Sequence, residues 1–324
     1  MSDGKLNFAF YWAASCGGCE VVVLDIDEKI LDVVEAADVV FWPCAMDFKY
    51  DDVEEMEEGE IDVCFFNGAI RNEENEEIAE LLREKSEVVV AFGSCSALGG
   101  IPGLGNGTTK EDIFEKAYNS THSTENEEEI QPEPRTEVPE GELTIPEFSN
   151  YVRALDQVVD VDYYLPGCPT NPDIIVEAVE AIIEGELPPA GTNLATLVSR
   201  KTLCDECDRE LADEKSVTEF KRPHLAEDNG EGCLLEQGIL CMGPATQAGC
   251  GARCISANFP CRGCFGPPEK IDDQGAKMVS LLGSLIDSED EEEIEEMIDN
   301  ITDPFGTFYS YSLPKSILKR SEKK

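Results

Sequence analysis

Four cysteines directly follow apolar, strand-like runs, and this placement constrains the fold more than any other feature of the sequence. The cysteines are Cys16, Cys19, Cys95 and Cys168, and the runs before them are residues 6–12, 88–92 and 161–165. In an open parallel sheet the carboxyl ends of several strands meet at one crevice, so residues distant in sequence can converge there. We therefore expect the four thiols to surround one point. Four thiols favour a soft metal, which makes zinc and an iron–sulfur cluster the candidates.

The motif Cys16-Gly17-Gly18-Cys19 is ambiguous when it is taken alone. A C-x-x-C pair is also typical of a thioredoxin-like redox site and of half a zinc site. Cys95 and Cys168, which occur in the same setting, favour a four-thiol metal centre over these alternatives. The glycines suit such a centre, because a bulky cluster requires close approach of the backbone and N–H donors for its sulfurs.

Strand-like runs alternate with helical patterns through the first half of the chain. The predicted strands are residues 6–12, 38–42, 61–66, 88–92 and 161–165, and the predicted helices are residues 20–37, 73–85, 150–158 and 173–184. This alternation implies right-handed crossovers and a parallel sheet, so the predicted fold class is α/β, flavodoxin-like. An amphipathic pattern predicts that the core face of the first helix consists of Val22, Ile26, Ile30, Val33 and Val34.

The chain is predicted to have two domains. Residues 1–190 form the flavodoxin-like domain, and a polar, proline-rich stretch at about 119–147 is predicted to be a mobile insertion. Residues 191–324 differ in character, with eight cysteines between positions 204 and 264 and weak periodicity. Such a segment is expected to have little apolar core and to depend on metal ligation for its shape. The glycine-rich run 99–107 lacks the ending of a phosphate loop and is expected to let another surface approach closely.

Charge and composition exclude several classes of protein. The 324 residues carry a formal net charge of -44, from 69 Asp and Glu against 25 Lys and Arg, which disfavours binding to nucleic acid or anionic membranes. No apolar run approaches the roughly 20 residues of a membrane span. The first strand begins so near Met1 that no secretory leader is expected. We therefore predict a cytoplasmic protein whose 14 cysteines are reduced or bound to metal.

Three stretches around the first four thiols resemble the proximal [4Fe-4S] ligand segments of the small subunit of [NiFe] hydrogenases. They are residues 14–20, 93–101 and 165–172, with the sequences ASCGGCE, GSCSALGGI and LPGCPTNP. The resemblance implies that Cys16, Cys19, Cys95 and Cys168 ligate a proximal [4Fe-4S] cluster.

The eight later cysteines are enough for two further four-thiolate sites, and the resemblance extends to them. Residues 232–235 with 241–246 look like the family's distal segment, and Cys250 with residues 259–264 looks like its medial segment. The implied distal ligands are Cys204, Cys207, Cys233 and Cys241, and the implied medial ligands are Cys250, Cys254, Cys261 and Cys264.

Two departures from the periplasmic uptake enzymes are informative. Cys204-Asp205-Glu206-Cys207 stands where those enzymes have a histidine ligand, and Cys254 stands where their medial [3Fe-4S] site has a proline. Both differences imply three all-cysteine [4Fe-4S] clusters. In this respect the chain resembles the methyl-viologen-reducing, deazaflavin-non-reducing enzymes of methanogens and related archaea.

The resemblance implies an electron-transfer subunit. A separate large subunit would hold nickel and iron and split dihydrogen, and electrons would pass through the three clusters to a small [2Fe-2S] subunit and heterodisulfide reductase. The alternative from another class is a zinc-stabilised structural or interaction protein on a flavodoxin-like scaffold. Zinc has no redox chemistry, so iron content and colour distinguish the two.

A few reactive side chains remain outside these sites. Cys64 lies within a predicted strand and is expected to be a buried small hydrophobe. Cys44 ends a predicted strand and is expected near the implied proximal cluster. His122 and His224 are expected at the surface. Glu20 is expected to serve in capping and solvation, while the resemblance places it at the interface with the large subunit.

Overall fold

The computed structural model describes residues 4–197, 199–213, 216–228 and 230–318. The strands are β1 (Leu6–Trp12), β2 (Ala37–Phe41), β3 (Ile61–Asn67), β4 (Ile70–Asn72), β5 (Ser86–Phe92), β6 (Arg135–Val138), β7 (Gly141–Thr144), β8 (Phe148–Arg153), β9 (Tyr163–Leu165) and β10 (Thr192–Asn193). The α-helices are α1 (Gly18–Val22), α2 (Ile30–Ala36), α3 (Tyr50–Glu54), α4 (Glu73–Lys85), α5 (Gly93–Leu98), α6 (Lys110–Phe114), α7 (Pro172–Glu184), α8 (Arg253–Ser256), α9 (Gln274–Leu285), α10 (Glu291–Asp299) and α11 (Pro304–Phe308).

In the described part of the chain, six strands form one sheet in the spatial order β2-β1-β3-β5-β9-β10. Every pairing in this sheet is parallel. The first five strands have the flavodoxin-like order, with the first strand between the second and the third, and β10 adds an edge. The predicted α/β, flavodoxin-like fold class is thus confirmed.

Alternate residues of each central strand enter two different apolar cores. Phe8 and Phe65 belong to the core covered by α1 and α7, whereas Ala9 and Phe66 belong to the core covered by α4 and α5. This follows from the strand pleat, which points successive side chains to opposite faces. Cys64 faces the second core and has no exposed surface, so its expected role as a small buried hydrophobe is confirmed.

The prediction of one continuous helix at residues 20–37 is wrong. The segment consists of α1, a 3-10 helix at Leu24–Lys29 and α2, and Asp27 takes a positive φ of 53° at the break. Val22 and Ile26 are buried, as predicted. Val34, which was predicted to face the core, is 55% exposed.

The predicted helix at residues 150–158 is wrong in type. Residues 148–153 form strand β8, which pairs antiparallel with β4, and a short 3-10 turn follows at Leu155–Gln157. The Asn106 side chain holds β8 in place, accepting from the Val152 N–H at 2.7 Å and donating to the Val152 carbonyl at 2.9 Å. A partner distant in sequence therefore fixes the extended backbone, and no local pattern reports it.

The expectation of little apolar core after residue 190 is also wrong. A separate core contains Leu203, Leu234 and Ile239 from the cysteine-rich stretch. Helices beyond the last cysteine complete it, through Met278 of α9 and Met297 of α10. The prediction failed because it considered residues 204–264 without the amphipathic helices that cover them.

Two further segments bear on the site. The polar stretch at 119–147 contains the hairpin β6–β7, whose side chains are largely exposed. The glycine-rich run forms a 3-10 helix at Ile101–Gly107, and the surface that approaches it belongs to the same chain. A Cβ on Gly99 or Gly103 would lie 2.2 or 2.5 Å from Pro314.

Of the helices that the structure describes, none is both long and apolar enough to cross a bilayer.

Candidate metal centres

The first four predicted ligands come together at the carboxyl edge of the sheet. Cys16 and Cys19 follow β1, Cys95 lies in α5 after β5, and Cys168 follows β9. Cys19 is close enough to the other three thiols for their charges to influence it. We call this set the proximal thiols. It is the convergence that the strand-end positions predicted.

Two glycines leave room for these sulfurs. A Cβ on Gly93 would lie 2.3 Å from the Cys19 Sγ, and a Cβ on Gly100 would lie 2.6 Å from the Cys95 Sγ. Both glycines have positive φ, 80° and 56°, a region that side-chain-bearing residues rarely adopt. The backbone is therefore shaped around the thiols at both positions.

Burial disfavours ionisation of two of the proximal thiols, Cys19 and Cys95, when no cation is near. Burial is the main cause that raises the pKa of Cys19 and that of Cys95 to about 12, and the nearby thiols add to it in both cases. Since a metal binds the thiolate, the ion must supply the positive charge that stabilises this form.

The four predicted medial ligands line one open cavity of about 360 Å³. Cys250, Cys254, Cys261 and Cys264 share its wall with the proximal thiol Cys168 and with Tyr311. Burial raises the pKa of Cys264 to about 12. We call these four residues the medial thiols.

The four predicted distal ligands line a second, apolar cavity. They are Cys204, Cys207, Cys233 and Cys241, which we call the distal thiols. A Cβ on Gly243 would lie 3.3 Å from the Cys204 Sγ, a tight contact, and 3.5 Å from the Cys241 Sγ, an ordinary one. Among the described residues that line this cavity, Arg209 carries the only charge.

Neighbouring thiol sets are linked in series. The medial Cys264 lies within electrostatic reach of the proximal Cys168, and the medial Cys261 lies within reach of the distal Cys241. The Met242 N–H also donates to the Cys261 carbonyl at 2.9 Å, which ties the distal loop to the medial one. The Ser94 hydroxyl donates to the Cys264 carbonyl and accepts from the Gly167 N–H. The order is therefore proximal, medial, distal.

The donor sets fit iron–sulfur clusters. Each has four thiols, the ligand that such clusters prefer, and the medial and distal sets line the walls of cavities. In the described ranges, no three Cys, His, Asp or Glu side chains are close enough to share a single metal ion.

Glu20 is not the solvated capping residue that was expected. It is 5% exposed, accepts from the Trp42 indole N–H, and accepts from Asn67 at 3.2 Å. The Cys44 Sγ lies 3.5 Å from the same carboxylate, so Cys44 contacts the residue that follows the proximal thiol Cys19. Burial raises the pKa of Glu20 against the opposing effect of these hydrogen bonds. His122 and His224 are exposed, as expected.

Sequence reasoning missed three residues at these sites, Ser94, Arg209 and Tyr311. Arg209 gave a readable signal, because it is a cation two positions after a predicted ligand in an otherwise acidic stretch. Tyr311 gave none, because it lies 47 residues beyond the last cysteine and reaches the medial cavity only through the fold.

Comparisons with known proteins agree with this arrangement. Residues 16–182 match the family model described as NADH ubiquinone oxidoreductase, 20 Kd subunit. The iron-sulfur subunit of the F420-non-reducing hydrogenase of Archaeoglobus profundus is 40% identical over 97% of this chain and 98% of its own length. A subunit of the F420-non-reducing hydrogenase of Methanothermobacter marburgensis is 38% identical over 99% of this chain and 98% of its own length.

A solved structure supports the fold. A chain of the [NiFeSe] hydrogenase from Desulfovibrio vulgaris Hildenborough aligns with a TM-score of 0.51 and 19% identity, covering 83% of this chain and 96% of that one. At this identity the likeness concerns the fold alone. Together with the family match and the full-length relatives, it leads to one conclusion: the chain belongs to the NADH ubiquinone oxidoreductase 20 Kd subunit family, among the subunits of F420-non-reducing hydrogenases.

Proposed function

We propose that this chain is the electron-transfer subunit of a [NiFe] hydrogenase and holds three [4Fe-4S] clusters. The proximal, medial and distal thiols would each ligate one cluster. The observation that carries the proposal is the serial proximity of the sets, Cys168 to Cys264 and Cys261 to Cys241. Thiol sets that served only to stabilise the fold would not need to lie next to one another in a series.

When bound, the clusters supply one-electron chemistry. The protein's own residues hold and separate them. Gly93 and Gly100 leave the space that the proximal sulfurs need, and the wall around the distal thiols is apolar except for Arg209. Where the surroundings of a cluster are apolar, its reduction potential depends more on fixed protein groups than on solvent. The proximity of Cys168 to Cys264 shortens the gap between the first two sites.

A large subunit that holds nickel and iron and splits dihydrogen is the proposed partner at the proximal end. Cys16, Cys168 and Cys254 are exposed in the isolated chain. Large apolar side chains beside them are exposed as well, namely Trp12, Val21, Ile101 and Phe259. Exposed apolar groups next to metal-binding thiols are typical of a face that another subunit covers.

At the distal end we propose delivery to a small [2Fe-2S] subunit and heterodisulfide reductase, in the cytoplasm. The family resemblance supports these partners. The distal cavity also has an accessible edge, because Leu211 in its wall is 52% exposed. An electron acceptor docked there would lie close to the distal thiols.

Metal analysis of anaerobically purified protein tests the proposal. Three [4Fe-4S] clusters require about 12 iron and about 12 sulfide per chain. Visible absorbance that bleaches on reduction with dihydrogen, in the presence of the large subunit, would show that the clusters receive its electrons. Stoichiometric zinc with negligible sulfide would instead establish the alternative, a zinc-stabilised structural protein.

A further inference from the structure

We infer that Arg209 raises the reduction potential of the distal site. It would thereby favour electron transfer to this site, the last of the three. The inference rests on the proposed function, since it concerns a cluster held by the distal thiols. It starts from the position of Arg209, which lines the distal cavity and is charged, whereas the other lining residues are cysteines and apolar groups.

The guanidinium is held rigidly. Its two terminal nitrogens donate to the two oxygens of Asp228 at 2.7 and 2.6 Å, a bidentate fork. They also donate to the Gly232 carbonyl and to the Asn258 side chain, both at 3.0 Å. The Arg209 side chain is 7% exposed, so little solvent screens its charge.

Of the two partners in the ion pair, Arg209 is the one that faces the distal thiols. Arg209 is part of the cavity wall, and Asp228 stands behind it, outside the set of lining residues. Arg209 lies within electrostatic reach of Cys207 and Cys233, and the carboxylate of Glu236 also acts on Cys233. Asp228 is in turn fixed by the Gly230 N–H at 3.0 Å and by Gln237 at 3.2 Å. The hydrogen bond from Arg209 is the main cause that lowers the pKa of Asp228, so the carboxylate stays charged.

A fixed cation next to the site stabilises the state with one more negative charge. In the transfer step the medial site loses one electron and the distal site gains it, with no bond made or broken. The proton remains on Arg209, because a guanidinium does not release it in proteins. The reduced distal site is therefore favoured over the oxidised one relative to a site without the cation.

The experiment is a redox titration of the complex with its large subunit, followed by electron paramagnetic resonance that resolves each cluster. Arg209→Gln removes the charge and keeps hydrogen-bonding groups. Asp228→Asn removes the opposing charge behind it. Arg209→Lys restores a cation without the fork, and Arg222→Gln is the matched control, since it removes an exposed cation that bonds Thr302 and lines neither thiol cavity.

Arg209→Gln is expected to shift the distal potential alone to more negative values, by roughly a tenfold change in the ratio of reduced to oxidised sites, about 59 mV for one electron. Asp228→Asn is expected to shift it in the opposite direction, Arg209→Lys to restore part of the loss, and Arg222→Gln to change nothing. A purely structural role predicts damage of the same sign in the first two variants, and that result would overturn the inference. An unchanged distal potential in Arg209→Gln would overturn it as well.

These outcomes are separable from failure of the proposed function, which would appear as a parent protein without iron and sulfide. If Arg209→Gln loses the distal cluster, about 8 iron remain per chain. Asp228→Asn and Arg209→Lys then test the inference, because they should shift the distal potential in opposite directions from that of the parent protein.

Discussion

Replacing Gly93 by alanine should remove the proximal cluster while the rest of the protein stays folded. The new Cβ would lie 2.3 Å from the Cys19 Sγ, whereas ordinary contacts begin at 3.4 Å. The sulfur would have to move by about 1 Å, roughly five times the tolerance of about 0.2 Å for a metal–ligand distance. Cys19 lies in α1 and is only 8% exposed, packed in the core with Val22 and Phe92, so its sulfur is surrounded by other side chains.

The change also carries a backbone cost that must be separated from the clash. A residue with a side chain at the φ of 80° found at Gly93 costs about 1–2 kcal/mol. Gly185 provides the matched control, since it has a φ of 70° and nothing within 4 Å of a Cβ. Gly283, in α9, provides the second control, since it has open space and an ordinary helical backbone, so that alanine should stabilise the helix by about 1 kcal/mol.

The assay is iron and sulfide analysis with electron paramagnetic resonance on anaerobic protein, alongside thermal unfolding. Gly93→Ala should retain about 8 of about 12 iron and lose the proximal signal, while Gly185→Ala should lower the melting temperature but keep all of the iron. A Gly93→Ala protein with full iron and an unchanged proximal signal would refute the reasoning. So would equal iron loss in Gly185→Ala, because the backbone and not the sulfur contact would then be responsible.

Three further predictions follow from the thiol sets. Cys254→Pro should leave one iron of the medial cluster without a protein ligand, so an oxidised [3Fe-4S] signal should appear in the resonance spectrum; persistence of four-iron signals at all three sites would exclude Cys254 as a ligand. Cys16→Ser should stop methyl-viologen reduction by dihydrogen, because it alters the electron entry site, whereas Cys64→Ala, at a fully buried position in the other core, should preserve it; equal loss in both folded variants would contradict the assignment. Removal of residues 121–140 should leave iron content unchanged, since none of these residues lines the medial or distal cavity; loss of clusters or of the large subunit would make the segment a docking element.

The sheet was predictable because its signals are local. The runs at 6–12 and 61–66 are apolar on both faces, as expected of parallel strands covered by helices on each side, and they match β1 and β3 closely. The helices predicted at residues 73–85 and 173–184 match α4 and α7 closely. Strand β8 could not be predicted, since its partner β4 and its clamp Asn106 lie far away in sequence.

The site divides in the same way. The convergence of the proximal thiols was predictable, because residues that follow parallel strands meet at the carboxyl edge of the sheet. The split of the eight later cysteines came from the family resemblance and has no local physical signature, since their cavities are built from irregular segments. Arg209 shows the limit most clearly: its charge is visible in the sequence, but its orientation depends on Asp228, 19 residues away.

The packing of Pro314 on Gly99 and Gly103 has a consequence for biogenesis. Cys168, the last proximal thiol, leaves the ribosome about 146 residues before Pro314, which at 5–20 residues per second is an interval of roughly 7–30 s. During that time the glycine-rich wall beside Cys95 has neither Pro314 against it nor the Tyr311 carbonyl that accepts from Gly100. All four proximal thiols are therefore present, and the glycine-rich flank beside Cys95 is uncovered, before the segment that packs against it has been translated.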